Sequence, residues 1–196
     1  KRLWRKNRSR NNGHSCQGVD LNRNFPSFWT SNVSHGASNN PCKEIYAGYS
    51  AGSEPETVAM VKKLNQIAKN EKFQLYLSFH SYGQLLLTAY GYQEGAYPSN
   101  YQELMRAGEE VRRTLINNHG TVYQVGNAVD LLYAASGGSD DFVTLETKPA
   151  YSYTVELPPG EFHSAGFLLS PSQIKPVGKH VVQIIDTLIR VMKPVQ

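Results

Sequence analysis

Long hydrophobic runs are missing from this chain: no apolar stretch approaches the roughly 20 residues needed to cross a bilayer, which argues against a membrane partner. The opening segment Lys1 to Arg10 (KRLWRKNRSR) has no apolar stretch after its charges, so it does not read as a signal segment. A dominant charge is also missing, since 20 Lys and Arg against 16 Asp and Glu give a net charge of only +4. The basic residues crowd into the first ten positions instead of striping a helix face, which disfavours a nucleic-acid partner. Neither internal repeats nor low-complexity tracts occur, which excludes fibrous and disordered classes. At 196 residues and 40% hydrophobic content, residues 1–196 are expected to form a single globular unit with a sizeable core.

Cysteine is nearly absent, and the two present, Cys16 and Cys42, close a loop rich in Asn, Ser and Gly. A disulfide there would remove loop-closure entropy worth about 3 kcal/mol in the chain-entropy model. Two buried free thiols are the alternative, because two cysteines do not make a framework. The sequons at Asn7 and Asn32 favour a secretory route, so the protein is expected to be secreted and extracellular.

What is present is an alternation of helical and strand-like segments. Ser53-Glu54-Pro55-Glu56 has the form of a capping box, and Val58, Val61, Leu64, Ile67 and Ala68 recur at helical spacing to about Asn70. Phe73 to Phe79 (FQLYLSF) reads as a strand ending on His80, Gln84 to Ala89 as a second strand, and Tyr151 to Val155 as a third ending on Glu156. Ser99 with Gln102 opens another helix that Gly120 stops, and Lys179 to Met192 reads as a closing amphipathic helix. The pattern predicts an α/β fold with a mixed twisted sheet flanked by helices, in which ligands gather beyond the carboxyl ends of strands.

Gly18-Val-Asp-Leu-Asn-Arg-Asn24 places one arginine between two asparagines after a short apolar run. Such a set is either a receptor for a carboxylate, which the planar guanidinium fork matches with two donors, or a solvated polar turn. Arg23, His80 and Glu156 each follow a strand-like run, and their coincidence raises the functional reading above what any one of them carries.

Several segments taken together resemble the zinc metallocarboxypeptidases of the pancreatic carboxypeptidase A/B type. These are Arg2-Leu-Trp-Arg-Lys-Asn-Arg-Ser9, Gly18-Val-Asp-Leu-Asn-Arg-Asn-Phe25, His80-Ser-Tyr82 with Gln84-Leu-Leu-Leu, Tyr133-Ala-Ala-Ser-Gly-Gly-Ser-Asp-Asp141, Tyr153-Thr-Val-Glu156 and Gly166-Phe-Leu-Leu169. The resemblance implies a zinc-dependent exopeptidase that removes the C-terminal residue of peptides. It assigns Asn22 and Arg23 to a clamp on the free carboxylate, with Tyr133 as the tyrosine that folds over the bound end. Arg5 would hold the scissile carbonyl and its developing oxyanion, and Glu156 would act as general base. His80 would be a Zn2+ ligand, and Ser81, Tyr82 and Phe167 would line the substrate site. Asp140 falls at the floor of the side-chain pocket, where a carboxylate suits C-terminal lysine or arginine and so implies B-like specificity. Asp141 adjoins it, so the order of the two could be shifted by one.

The chain departs from the family in ways that matter. A catalytic zinc needs three protein ligands, and the family's His-x-x-Glu motif is missing, since none of His14, His35, His80, His119, His163 and His180 has a glutamate three residues on. The chain is therefore expected to be the C-terminal part of one catalytic domain. The remaining part would be present in the same polypeptide or as a second chain, and activity would require it. After Glu156 the chain has Pro158-Pro-Gly-Glu-Phe-His163 where relatives have an arginine-containing turn. Asn7 is expected between Arg5 and Arg23 in the site, leaving its sequon unused. The alternative reading is a non-catalytic carboxypeptidase-like module that binds peptide C-termini.

Overall fold

A computed structural model describes residues 2–30, 35–70 and 72–193. Strands β1 (Leu75–Gly83), β2 (Leu85–Thr88), β3 (Gln124–Asn127) and β4 (Tyr151–Gly160) form one sheet in the order β1-β4-β2-β3. β1 and β4 run parallel, as do β2 and β3, while β2 and β4 are antiparallel, so the sheet is mixed as expected. Helices α2 (Tyr101–His119) and α5 (Ile174–Val191) cover one face. Leu86, Leu104, Ala107, Val111, Leu115, Tyr151, Tyr153, Val155, Ile184 and Leu188 meet there in a single buried cluster. A smaller cluster joins α1 (Pro55–Asn70) to α4 (Ser139–Phe142) and the π-helical turn Val143–Thr147 through Leu64, Phe25, Phe142 and Val143, with Tyr76 of β1 packed against it. The short helix α3 (Ala128–Leu131) follows β3 directly.

The period-2 geometry of β4 sets the division between core and site. Tyr151, Tyr153 and Val155 point into the α2–α5 core, and the intervening Ser152, Thr154 and Glu156 point to the opposite face. Tyr76 and His80 share a face of β1 by the same rule.

Several boundaries differ from the sequence expectation. β1 continues through His80 to Gly83 and β4 through Glu156 to Gly160, because the parallel ladder persists past both residues, with His80 opposite Glu156 and Ser81 opposite Leu157. The two polar residues therefore lie within strands. No strand forms around Val19: Gly18 adopts a φ of +83°, and the bonds Asn7 N–H to Val19 O (3.0 Å), Gly18 N–H to Ser9 O (2.9 Å) and Asp20 N–H to Tyr46 O (2.8 Å) do not extend into a ladder. α1 starts at Pro55, and the Ser53 hydroxyl donates to Glu54 Oε1 (2.7 Å) instead of capping three residues on. Asn100, and not Ser99, precedes α2, and its side chain donates to Ala150 O. Gly120 closes α2 at a φ of +63°, as expected of a left-handed stop. α5 begins at Ile174, ahead of Lys179, because Pro176 falls in the first turn, where its missing N–H is tolerated.

Cys16 and Cys42 are disulfide-bonded, with Cα atoms 5.0 Å apart. The Asn32 sequon lies outside the described residues. Among the described residues no helix is long and apolar enough to cross a membrane.

Candidate active site

Arg23 ends a short 3-10 helix, Leu21–Arg23, that Asp20 starts by accepting the Asn22 N–H on Oδ1 (3.1 Å). The Arg23 guanidinium is buried, with Nε donating to Gly36 O (2.7 Å) and Nη1 to Asn22 O (2.8 Å). Two carbonyls thus fix the plane of the fork. The Asn22 amide oxygen accepts the Ser139 N–H (2.9 Å), which ties this turn to the start of α4 and leaves the amide nitrogen as the group that can serve a ligand. Gly137, at a φ of +70°, lies against the Arg23 carbonyl where a Cβ would clash, so Ser136-Gly-Gly-Ser139 can reach the Asn22–Arg23 turn only with glycine there.

Arg5 donates from Nε to Asp20 Oδ2 (2.8 Å). Loss of solvent acts to lower its pKa, but the Asp20 carboxylate outweighs that, with Tyr133 and Glu156 adding, and the guanidinium is held above its ordinary value. Asp20 thus orients both Arg5 and the Leu21–Arg23 turn. It escaped the sequence analysis although the signal was available, an aspartate two residues before a needed backbone donor.

His80 and Glu156 face one another across the β1–β4 ladder. His80 Nε2 lies 3.0 Å from Ser78 Oγ. Burial lowers the His80 pKa, partly opposed by Asp140 and reinforced by Arg5. Burial pushes the Glu156 carboxyl up to about 7 despite the Arg5 guanidinium. Its Oε2 is buried with no hydrogen-bond partner among the described residues. An unpartnered buried carboxylate oxygen is costly unless a bound group meets it.

The two adjacent aspartates separate cleanly. Asp140 faces a cavity, whereas Asp141 is fully buried and turned to the loop after β2, with Oδ1 accepting the Gly91 N–H (2.8 Å). Burial and then the neighbouring Asp140 raise the Asp141 pKa well above its ordinary value. Tyr133, just past α3, is 60% exposed at the rim of the same cavity.

These residues converge. Arg5, Asn22, Arg23, His80, Ser81, Tyr82, Tyr133, Asp140, Glu156 and Phe167 all line one cavity of ≈ 310 Å³. Leu87, Thr154 and Glu161, which sequence reasoning did not single out, line it too. Tyr82 and Phe167 pack edge to face at 4.8 Å. Asn7 is the exception. Its Nδ2 donates to Glu54 Oε2 (2.7 Å), just ahead of α1, and its Oδ1 accepts the Val19 N–H (2.7 Å), so it braces the backbone away from the cavity.

The donor set decides whether a zinc ion fits. Among the described residues no group of three or more His, Cys, Asp or Glu side chains is placed to hold a metal. His80 is one imidazole where a catalytic zinc needs three protein ligands, so these residues alone do not complete a zinc site.

Comparison with known proteins accounts for this arrangement. Residues 1–183 match the zinc carboxypeptidase family, and the chain belongs to it. Enzymes of this family use Zn2+. The chain is 42% identical over 176 residues to carboxypeptidase B of Bos taurus, covering 89% of this chain and 40% of that protein. It is 39% identical over 184 residues to carboxypeptidase O of Homo sapiens, covering 94% of this chain and 47% of that protein. The structure of bovine thrombin-activatable fibrinolysis inhibitor in complex with tick carboxypeptidase inhibitor superposes with a TM-score of 0.86 at 36% identity, over 97% of this chain and 62% of that one. The chain thus spans about half the length of the curated relatives it matches.

Proposed function

We propose that the complete protein is a secreted metallocarboxypeptidase that hydrolyses the last peptide bond of peptides and proteins, preferring C-terminal lysine or arginine. The observation that carries this reading is the convergence of Arg5, Asn22, Arg23, Tyr133, Asp140 and Glu156 on one cavity. Arg23 and the Asn22 amide nitrogen bind the substrate's free carboxylate, and an internal peptide segment offers no such group, so the site acts on chain ends. Tyr133 covers the bound end. Arg5, held by Asp20, stabilises negative charge developing on the scissile carbonyl oxygen. Glu156 takes a proton from the attacking water and delivers it to the leaving amine. Ser81, Tyr82 and Phe167 contact the substrate upstream of the scissile bond.

His80 is the one residue of this chain proposed to ligate the family's zinc, whose contribution when bound is Lewis-acid polarisation. The other ligands would come from residues outside this chain. Residues 1–196 are accordingly read as the C-terminal part of one catalytic domain, completed within the same polypeptide or by a second chain. The Cys16–Cys42 bridge supports an oxidising, extracellular destination.

Asp140 carries the preference for basic ends. A carboxylate at the pocket floor is well matched by a lysine or arginine side chain and would be stripped of water without compensation by phenylalanine. The test is the ratio of kcat/KM for matched peptides ending in Arg and in Phe, in the complete enzyme and in its Asp140→Ile variant. The wild type should favour Arg by a hundredfold or more if the pairing supplies about 3 kcal/mol, and the variant should lose that preference. A wild-type preference for Phe would remove the B-like assignment. Tight binding of chain ends without turnover in the complete protein would favour a non-catalytic binding module.

A further inference from the structure

We infer that Glu161 is a specificity residue for the penultimate position of the substrate and favours a basic side chain there; the inference rests on reading the cavity as a peptide C-terminus site. Glu161 lines the same cavity as Arg23 and Glu156. It reaches the cavity by a specific route. β4 ends at Gly160, which is registered with Gly83 at the end of β1, so the chain leaves the sheet beside Tyr82. Tyr82 is the residue on which Phe167 packs and against which Gly166 lies, its Cβ position 3.3 Å from the ring. Glu161 therefore enters on the flank that carries the upstream substrate contacts, beyond the His80–Glu156 pair. The clamp residues Asn22 and Arg23 belong to a different segment.

The chemistry follows from what Glu161 lacks nearby. It is exposed, and no ion pair or hydrogen bond engages its carboxylate among the described residues. Arg5, the exposed cation of the same cavity, already bonds Asp20 at 2.8 Å. An unpaired carboxylate at the mouth of a binding cavity attracts a cationic side chain and repels an anionic one. Its solvent exposure limits the effect to what exposed ion pairs supply and makes it sensitive to salt. Phe162 beside it is 96% exposed and offers an apolar surface for the methylene stem of a lysine or arginine. Recognition here is independent of Asp140, which meets the last side chain.

The experiment uses the complete enzyme and blocked peptides that share a C-terminal arginine and differ only in a penultimate Lys, Gln or Glu. In the wild type kcat/KM should favour Lys over Glu by about three- to fivefold at low ionic strength, shrinking toward parity in high salt. Glu161→Gln should bring the ratio near one, and Glu161→Lys should invert it. Release of arginine from the Gln peptide reports separately on the cavity's basic assignment and should proceed in all three proteins. A Lys-to-Glu ratio that stays at its wild-type value in Glu161→Lys, while arginine is still released, overturns the role of Glu161 alone.

Discussion

The two faces of β4 obey opposite rules although their residues alternate along one strand. On the α2–α5 face both tyrosine hydroxyls of β4 are satisfied: Tyr151 Oη donates to Glu103 Oε1 (2.6 Å) and Tyr153 Oη to Leu104 O (2.7 Å). On the other face Ser152 Oγ and Glu156 Oε2 are buried without a partner among the described residues. The carboxylates of the two regions diverge in the same way. Arg106, Lys193 and Tyr151 hold Glu103 far below the ordinary glutamate value, whereas burial raises Glu156 to about 7. A core that closes its hydrogen bonds gains a single well-packed state, and a site that leaves them open keeps them for a ligand. Stability and function are thus assigned to opposite sides of the same ten residues.

That division predicts which measurement each substitution moves. Glu156→Gln in the complete enzyme should cost the most, a loss in kcat of a hundred- to ten-thousandfold, with KM little changed. Its melting temperature should hold or rise, since a desolvated carboxyl is replaced by a neutral amide of similar shape. Near-normal turnover would place the base elsewhere. Leu188→Ala, on α5 in the core, should do the reverse. It removes a fully buried side chain and should destabilise by about 2–5 kcal/mol in denaturant titration. The Arg-to-Phe selectivity of the residual folded enzyme should be preserved, and a changed ratio would show that the two faces are coupled.

The smallest expected effect is a pH dependence of stability on the core side. His180 of α5 packs at a tilt against His119, 4.7 Å between ring centres, and its Nδ1 lies 3.5 Å from Tyr123 Oη. Burial, and then His119, lower its pKa below the free value of 6.5. The unfolded chain therefore binds this proton first on acidification. The contribution of neutral His180 is complete above about pH 6.5 and is lost as pH falls through the folded value. Glu156 acts with the opposite sign, because its folded carboxyl holds a proton over the window between about 4.5 and about 7, where the unfolded one does not. Melting curves from pH 7.5 to 5.5 should show a shallower acid-side loss in His180→Gln than in the wild type, and identical slopes would remove His180 from the account.

Much of this architecture was legible from local pattern. Helical spacing from Val58 to Ala68 and from Leu104 to Leu115, the stop at Gly120 and the strand-like runs before His80 and Glu156 all rest on interactions between near neighbours, which sequence encodes directly. The family motifs likewise named residues that share one cavity. Strand ends were not legible. β1 runs on to Gly83 and β4 to Gly160 because each residue's hydrogen-bond partner belongs to the other strand, more than seventy positions away. The role of Asp20 was legible only in part: its bond to the Asn22 N–H is a local pattern, whereas its bond to Arg5 joins residues 15 positions apart.

The order of Asp140 and Asp141 marks the boundary most clearly. Adjacent and chemically identical, they differ only in what surrounds them: Asp141 is turned into the interior by the Gly91 N–H, which leaves Asp140 to the cavity. Amino-acid types and spacing determined which groups this chain can bring to a site and which elements carry them. Packing of distant segments decided which face each group meets and how far it is stripped of water, because desolvation and long-range hydrogen bonding exist only once the chain has closed on itself.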